Sequence, residues 1–126
     1  MPDIETPSRP DLLPNADQAQ IDPRKLRDYA LNTEHSSGRY KAAFFAQMGY
    51  MAANWQRLER DIREQHLTQP MRPGQPSPYG RKYTITAPIQ GPQGAARQVT
   101  TVWIFRPGND FAELVTIEPA AKRKVD

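Results

Sequence analysis

His35 and Lys41 are the two residues whose types and spacing best fit a chemical role. Cleavage of RNA needs a base for the 2′-hydroxyl proton, a cation for the phosphoryl charge and an acid for the leaving oxygen. A histidine titrates near neutral pH, and Lys41 falls in the first turn of a predicted helix, where backbone amides also attract anions. The pair therefore predicts an anion site. The alternative is a loop histidine bonded to backbone and a solvated lysine.

Tyr79, Thr101 and Thr116 could support this chemistry through their hydroxyl groups. Thr101 shares a predicted strand face with Trp103, and Thr116 shares one with Leu114. A hydroxyl among apolar neighbours needs a hydrogen-bond partner, and on a sheet face it could lie beside a scissile phosphate. The alternative is that threonine is simply a good strand former, and that Tyr79 only anchors the segment before it.

Basic residues near the predicted sheet could bind phosphates. Lys82, Arg81 and Arg97 are expected to cluster near the first sheet turn and a strand start, although a solvated edge is the ordinary interpretation. His66 stands at a predicted helix end, where a positive charge interacts favourably with the helix dipole, and it is left out of the site.

Metal and cofactor chemistry find little support in the sequence. Two isolated histidines without matching carboxylate spacing do not form a zinc or iron motif. The sequence has no cysteine and no glycine-rich phosphate-binding motif, and it lacks a serine-hydrolase elbow. We therefore expect no metal and no cofactor.

Charge is distributed unevenly along the 126 residues. Residues 1–22 carry five acids and one arginine, whereas residues 23–119 carry 13 basic and 8 acidic side chains. A mildly basic folded part suits a polyanionic partner such as RNA.

No apolar run reaches the length of a membrane span, and the first residues lack an apolar signal core. We expect no membrane association, and a location in the cytoplasm or delivery into a target cell without an ordinary signal peptide.

The elements that must position these residues follow from periodicity. Residues 1–20 are expected to be disordered because they are rich in proline and acids, and 120–126 form a basic tail. A single domain over 21–119 begins with helices at 23–31, 39–48 and 52–65, with Gly49 ending the second.

The proline-rich linker 67–78 is expected to lack regular structure. Alternation of apolar and polar residues then predicts three strands within 79–118, joined by short turns. The predicted fold class is α+β, with N-terminal helices packed on a three-stranded antiparallel meander.

Several stretches resemble a small bacterial family of unknown function. They are LPNA at 13–16, RKLRDYALN at 24–32, a histidine, glycine and lysine pattern ending in FF at 35–45, YGRKY at 79–83, GPQG at 91–94, VW at 102–103 and LVT at 114–116. The resemblance spans about residues 13–118 and implies a stand-alone small protein or the end piece of a larger bacterial or phage-related protein. It implies no catalytic residues.

The order of helices followed by a meander is also similar to the barnase–EndoU–colicin–RelE class of ribonuclease toxins. We therefore expect a metal-independent ribonuclease or toxin-like domain acting on RNA, with a possible cognate inhibitor or antitoxin protein. The alternative is a non-catalytic interaction module, such as an antitoxin, an immunity-like partner or a phage or secretion adaptor. A shared architecture does not by itself establish function.

Overall fold

A computed structural model describes residues 12–34 and 39–120 of the chain. A π-helical segment, Lys25–Ala30, is followed by helix α1, Arg39–Met48, and helix α2, Trp55–Asp61. A 3₁₀ turn, Ala52–Asn54, precedes α2, and a second π-helical segment, Ile62–His66, continues it. These bounds agree closely with the three helices predicted from the sequence. No helix within the described residues is long and apolar enough to cross a membrane.

The second half of the chain forms an antiparallel sheet of four strands in sequential order. The strands are β1, Met71–Ser77; β2, Gly80–Gln90; β3, Ala96–Phe105; and β4, Glu113–Pro119. The α+β class and the antiparallel meander predicted from the sequence are confirmed. The number of strands is corrected from three to four.

The additional strand, β1, lies within the stretch predicted to be an unstructured linker. It pairs with β2 despite two prolines, and the register shifts between Pro73 and Pro76. Proline cannot donate a ladder hydrogen bond, so it is tolerated at a sheet edge or at an irregularity. Both conditions hold here, because β1 is an edge strand. The proline content does not reveal that this strand lies at the edge of the sheet, so the prediction for residues 71–77 is wrong.

Residues 12–20 also differ from the predicted disorder. Leu13 and Ala19 are buried in the core, and a 3₁₀ turn spans Ala16–Gln18. Gln20 forms a parallel bridge with Glu113 beside strand β4. Burial of two apolar side chains and backbone pairing with the sheet outweigh the polar composition of this stretch. Residues 1–11 and the basic tail 121–126 lie outside the described residues.

One core cluster joins helical and sheet residues, and it includes Phe45 of α1, Leu58 of α2 and Ile85 of β2. Trp103 of β3 is fully buried within it. A Cβ atom on Gly91 would lie 2.3 Å from the carbonyl oxygen of Met48, so the β2–β3 turn touches the end of α1. Sheet and helices are thus held together at both the core and the turn.

Candidate functional site

Lys41 and Thr116, two residues singled out from the sequence, are in contact. The Lys41 ammonium donates a hydrogen bond of 3.3 Å to Thr116 Oγ1 and lies 3.9 Å from Glu118 Oε1. The same nitrogen lies 4.8 Å from the centroid of the Tyr29 ring, which provides a cation–π contact. The Lys41 side chain is only 17% exposed. A partly desolvated ammonium, a hydroxyl and a carboxylate therefore meet at the β4 edge of the sheet.

A bulge in β4 determines where Thr116 lies. The register shifts between Val102 and Trp103, so that Val102 pairs with Thr116 while Trp103 pairs with Leu114. Val115 has no register partner on β3, and the simple alternation of side chains is broken there. Thr116 consequently lies on the opposite side of the sheet from Leu114. The predicted shared face of these two residues is wrong because the sequence does not reveal the bulge.

Two adjoining cavities, with volumes of about 770 and 600 Å³, lie beside this cluster. Asp22, Lys25 and Val115 line both cavities, and we call the combined feature the groove. Thr116 and Tyr29 line the smaller cavity, so the Lys41 cluster lies at that end. The charged lining residues comprise four cations and two carboxylates: Arg24, Lys25, Lys82, Arg106, Asp22 and Glu113. This excess of positive charge favours an anionic ligand.

Lys25 occupies the junction of the two cavities. Its ammonium donates a 3.1 Å hydrogen bond to the carbonyl oxygen of Val115, the residue at the β4 bulge. An ammonium has three N–H donors, so this bond fixes the cation and leaves donors for a ligand. Asp22 beside it is held by Arg24, whose side-chain hydrogen bonds lower the Asp22 pKa to about 2.

At the far end of the groove the larger cavity is lined by Tyr79 and Lys82. Tyr79 is 74% exposed, and Lys82 is exposed on β2. The structure thus places two further predicted site residues in one groove with Thr116. Arg106 also lines this end, and its guanidinium is paired with Glu113 at 3.2 Å.

Arg81 and Arg97 do not form the predicted basic cluster. Arg81 is opposite Phe105 in the β2–β3 pair, whereas Arg97 is opposite Ile89. Eight positions along a strand correspond to roughly 27 Å at about 3.4 Å per residue. The starts of consecutive antiparallel strands lie at opposite ends of the sheet, so Arg97 is remote from Arg81. Neither arginine lines the two cavities.

Thr101 is fully buried on the core side of β3, away from the groove. Its Oγ1 accepts a 2.8 Å hydrogen bond from Trp103 Nε1 and lies 2.9 Å from His66 Nε2. Because the indole can only donate, the threonine proton is available for the imidazole nitrogen. A hydroxyl enclosed in this way cannot contact a ligand. Thr101 is thus part of the core rather than of the predicted site.

His66 is also fully buried, contrary to the expectation of a charged residue at a helix end. Burial disfavours the charged ring and lowers the His66 pKa to about 4. The interaction of the ring with the Ile85 backbone raises this pKa, but by less than burial lowers it. Nδ1 makes no hydrogen bond of acceptable geometry in the described part of the chain. Desolvation therefore outweighs the helix dipole at this position.

His35 lies outside the described residues, so its predicted role stays a prediction. Lys25, Tyr29, Arg106 and Glu118 were not predicted from the sequence as site residues. The alternation along β4 could have linked Glu118 to Thr116, since residues two apart share a strand face. Lys25 and Tyr29 lie on one helical segment, whereas Arg106 follows β3, and only the packing of that segment against the sheet brings them to one groove.

Residues 12–121 match the family described as Domain of unknown function (DUF6883). The chain belongs to this family. The match covers the stretch over which the sequence resembles a family of unknown function, and the DUF6883 description carries no activity. The chain has no significant match among curated proteins or among solved structures.

Proposed function

We propose that this DUF6883 chain binds RNA in the groove and cleaves it without a metal ion at the Lys41 end. The observation that carries the proposal is the Lys41 cluster: one ammonium lies 3.3 Å from a hydroxyl and 3.9 Å from a carboxylate, beside a cationic groove. The groove supplies electrostatic attraction to a polyanion, and the cluster supplies groups for proton transfer and charge stabilisation.

The reaction would be an intramolecular transesterification. The Glu118 carboxylate accepts the 2′-hydroxyl proton, and the 2′ oxygen then forms a bond to phosphorus. The phosphorus–5′-oxygen bond breaks, and the 5′ oxygen receives a proton from the general acid, for which His35 is the sequence-based candidate. The products are a 2′,3′-cyclic phosphate and a 5′-hydroxyl end.

Lys41 would act on the charge that develops on the phosphoryl oxygens. Only 17% of its side chain is exposed, and electrostatic interactions are stronger where water is excluded. Thr116 and the Tyr29 ring fix the position of the ammonium before substrate binds. Such prior positioning avoids reorganisation during the reaction.

Purified protein incubated with labelled single-stranded RNA in EDTA tests the proposal. We expect cleavage to cyclic phosphate ends and no cleavage of DNA, which lacks the 2′-hydroxyl. Lys41→Ala, Glu118→Gln and His35→Ala should each reduce the rate by about 10²-fold or more. Arg60→Ala is a matched control, because Arg60 is an exposed cation on α2 that does not line the groove.

Thermal melting of each variant separates lost chemistry from lost folding, since Lys41 also joins α1 to β4. Folded wild-type protein that leaves total RNA and tRNA intact across pH 5–8 would contradict the ribonuclease proposal. That result would favour the alternative of a non-catalytic interaction module, and a pull-down for a protein partner would be the next experiment.

A further inference from the structure

Tyr79 presents an exposed aromatic ring from a well-fixed turn between β1 and β2. Its backbone N–H donates to Ser77 Oγ at 3.2 Å, and the same hydroxyl donates to the Gly80 carbonyl at 3.2 Å. Gly80 has φ +134°, and a Cβ atom there would lie 2.3 Å from the Phe105 carbonyl oxygen. The turn is therefore held against the end of β3, while the Tyr79 ring remains 74% exposed.

Positively charged side chains line the groove beyond Tyr79. Lys82 and Arg106 line the same cavity as Tyr79, and Lys25 lies where this cavity meets the smaller one. Burial of a large aromatic ring normally stabilises a fold, so an exposed ring on a fixed turn is available for a ligand. An exposed ring at one end and cations along the path match the two features of a nucleic acid strand, its bases and its phosphates.

We propose that the groove is a track for single-stranded RNA, in which Tyr79 stacks on a base and Lys25 binds a phosphate. This inference rests on the proposed function, because it names the form of RNA that reaches the Lys41 cluster. Aromatic side chains stack on the faces of unpaired bases, whereas a duplex hides those faces between its base pairs. Stacking on any base is favourable, so the track selects for strandedness rather than for sequence.

Lys25 is the binding residue that distinguishes the track from a general basic patch. Its hydrogen bond to Val115 holds the ammonium at the junction of both cavities. A strand that extends from Tyr79 to the Lys41 end must pass this junction. Removing Lys25 should therefore weaken binding through the phosphate contact without removing the stacking contact.

Binding is measured by fluorescence anisotropy with a labelled 2′-O-methyl oligoribonucleotide, which cannot be cleaved because its 2′ oxygen is blocked. The same strand annealed to its complement provides the duplex probe. We expect the full chain to bind the single strand more tightly than the duplex. Tyr79→Ala should weaken single-strand binding by about tenfold, whereas Tyr79→Phe retains the ring and should bind like wild type.

Salt titration separates the phosphate contact from stacking. The logarithm of the association constant falls linearly with the logarithm of the salt concentration. Lys25→Ala should make this negative slope shallower by about 0.7, the value for one phosphate contact on a single strand. Tyr79→Ala should lower the affinity and leave that slope unchanged. Arg60→Ala should change neither quantity.

Equal affinity for duplex and single strand, or an unchanged affinity in folded Tyr79→Ala, would overturn the inference. Failure of this inference can be distinguished from failure of the proposed function. Binding of the blocked strand without cleavage of ordinary RNA would contradict the ribonuclease proposal and leave the track intact. Cleavage that depends on Lys41 but not on Tyr79 would contradict the track alone.

Discussion

Two threonines on neighbouring strands, Thr101 and Thr116, illustrate how one residue type takes two roles in this sheet. Thr101 is enclosed in the core with Trp103 and His66. Thr116 is half-buried at the β4 edge, where it accepts a hydrogen bond from Lys41. The two lie one register position apart, since Thr101 pairs with Ile117 and Thr116 with Val102. Within the β3–β4 pair, a difference of one register position thus separates a hydroxyl buried in the core from one that faces the groove.

The difference lies in what surrounds each hydroxyl. The Thr101 network consists of uncharged groups enclosed in apolar packing, so its contribution is to stability. The Thr116 network contains an ammonium and a carboxylate beside a groove, so a ligand can alter it. Matched substitutions at the two positions can therefore test whether stability and ligand binding are separated across the sheet.

The largest effect is expected for Thr101→Val. This isosteric change removes the oxygen that accepts from Trp103 Nε1 and contacts His66 Nε2, leaving two buried polar atoms without partners. Each such atom costs about 1–3 kcal/mol, so the free energy of unfolding should fall by about 2–6 kcal/mol. Urea denaturation measures this quantity. A loss below about 0.5 kcal/mol would show that the network does not stabilise the core.

The next largest effect should come from lowering the pH. The folded pKa of His66 is about 4, below its ordinary value of 6.5. The unfolded chain therefore binds more protons between these values, and the free energy of unfolding should decrease as pH falls from about 6.5 to 4. The loss from this ring approaches about 3 kcal/mol, and the stability is fully present above pH 6.5.

His66→Gln is the control for the pH experiment, because an amide can bond to Thr101 but does not titrate. The measurement is the difference in unfolding free energy between wild type and variant across pH 4–6.5. Other titrating groups contribute equally to both proteins. If this difference is independent of pH, His66 is not the source of the acid sensitivity.

The smallest change in stability is expected for Thr116→Val. The Lys41–Thr116 bond is partly buried, and the ammonium retains Glu118 and the Tyr29 ring as neighbours. The free energy of unfolding should fall by less than about 1 kcal/mol. RNA cleavage should nevertheless decrease if Thr116 positions Lys41. Loss of stability comparable with that of Thr101→Val would remove the distinction between the two threonines.

The sequence predicted the elements whose signals are local. Gly49 correctly marked the end of α1, and its φ of +102° is a conformation that favours glycine. Alternation correctly predicted β2 and β3, which have regular ladders. Helical periodicity correctly predicted helices over 39–48 and 52–65, where α1 and α2 lie.

The features that the sequence did not predict depend on contacts distant along the chain. Strand β1 contains prolines that are tolerated only because the strand lies at an edge. The bulge at Val115 moved Thr116 to the other side of the sheet from Leu114. Lys25 contacts Val115 across 90 positions, and no spacing rule links such residues. Residue types alone placed Lys41 and Thr116 in the same candidate site, but they did not predict the hydrogen bond between them.

The short bridge between Gln20 and β4 has a consequence for fragments of this chain. Gln20 N–H donates to the Ala112 carbonyl at 2.8 Å, and Leu114 N–H donates to the Gln20 carbonyl at 2.9 Å. A fragment beginning after residue 20 would leave the Ala112 carbonyl and the Leu114 N–H unpaired at the start of the β4 edge. Open strand edges are templates for intermolecular pairing. Such a fragment would tend to self-associate through β4, so its solubility would fall even where its monomeric fold persists.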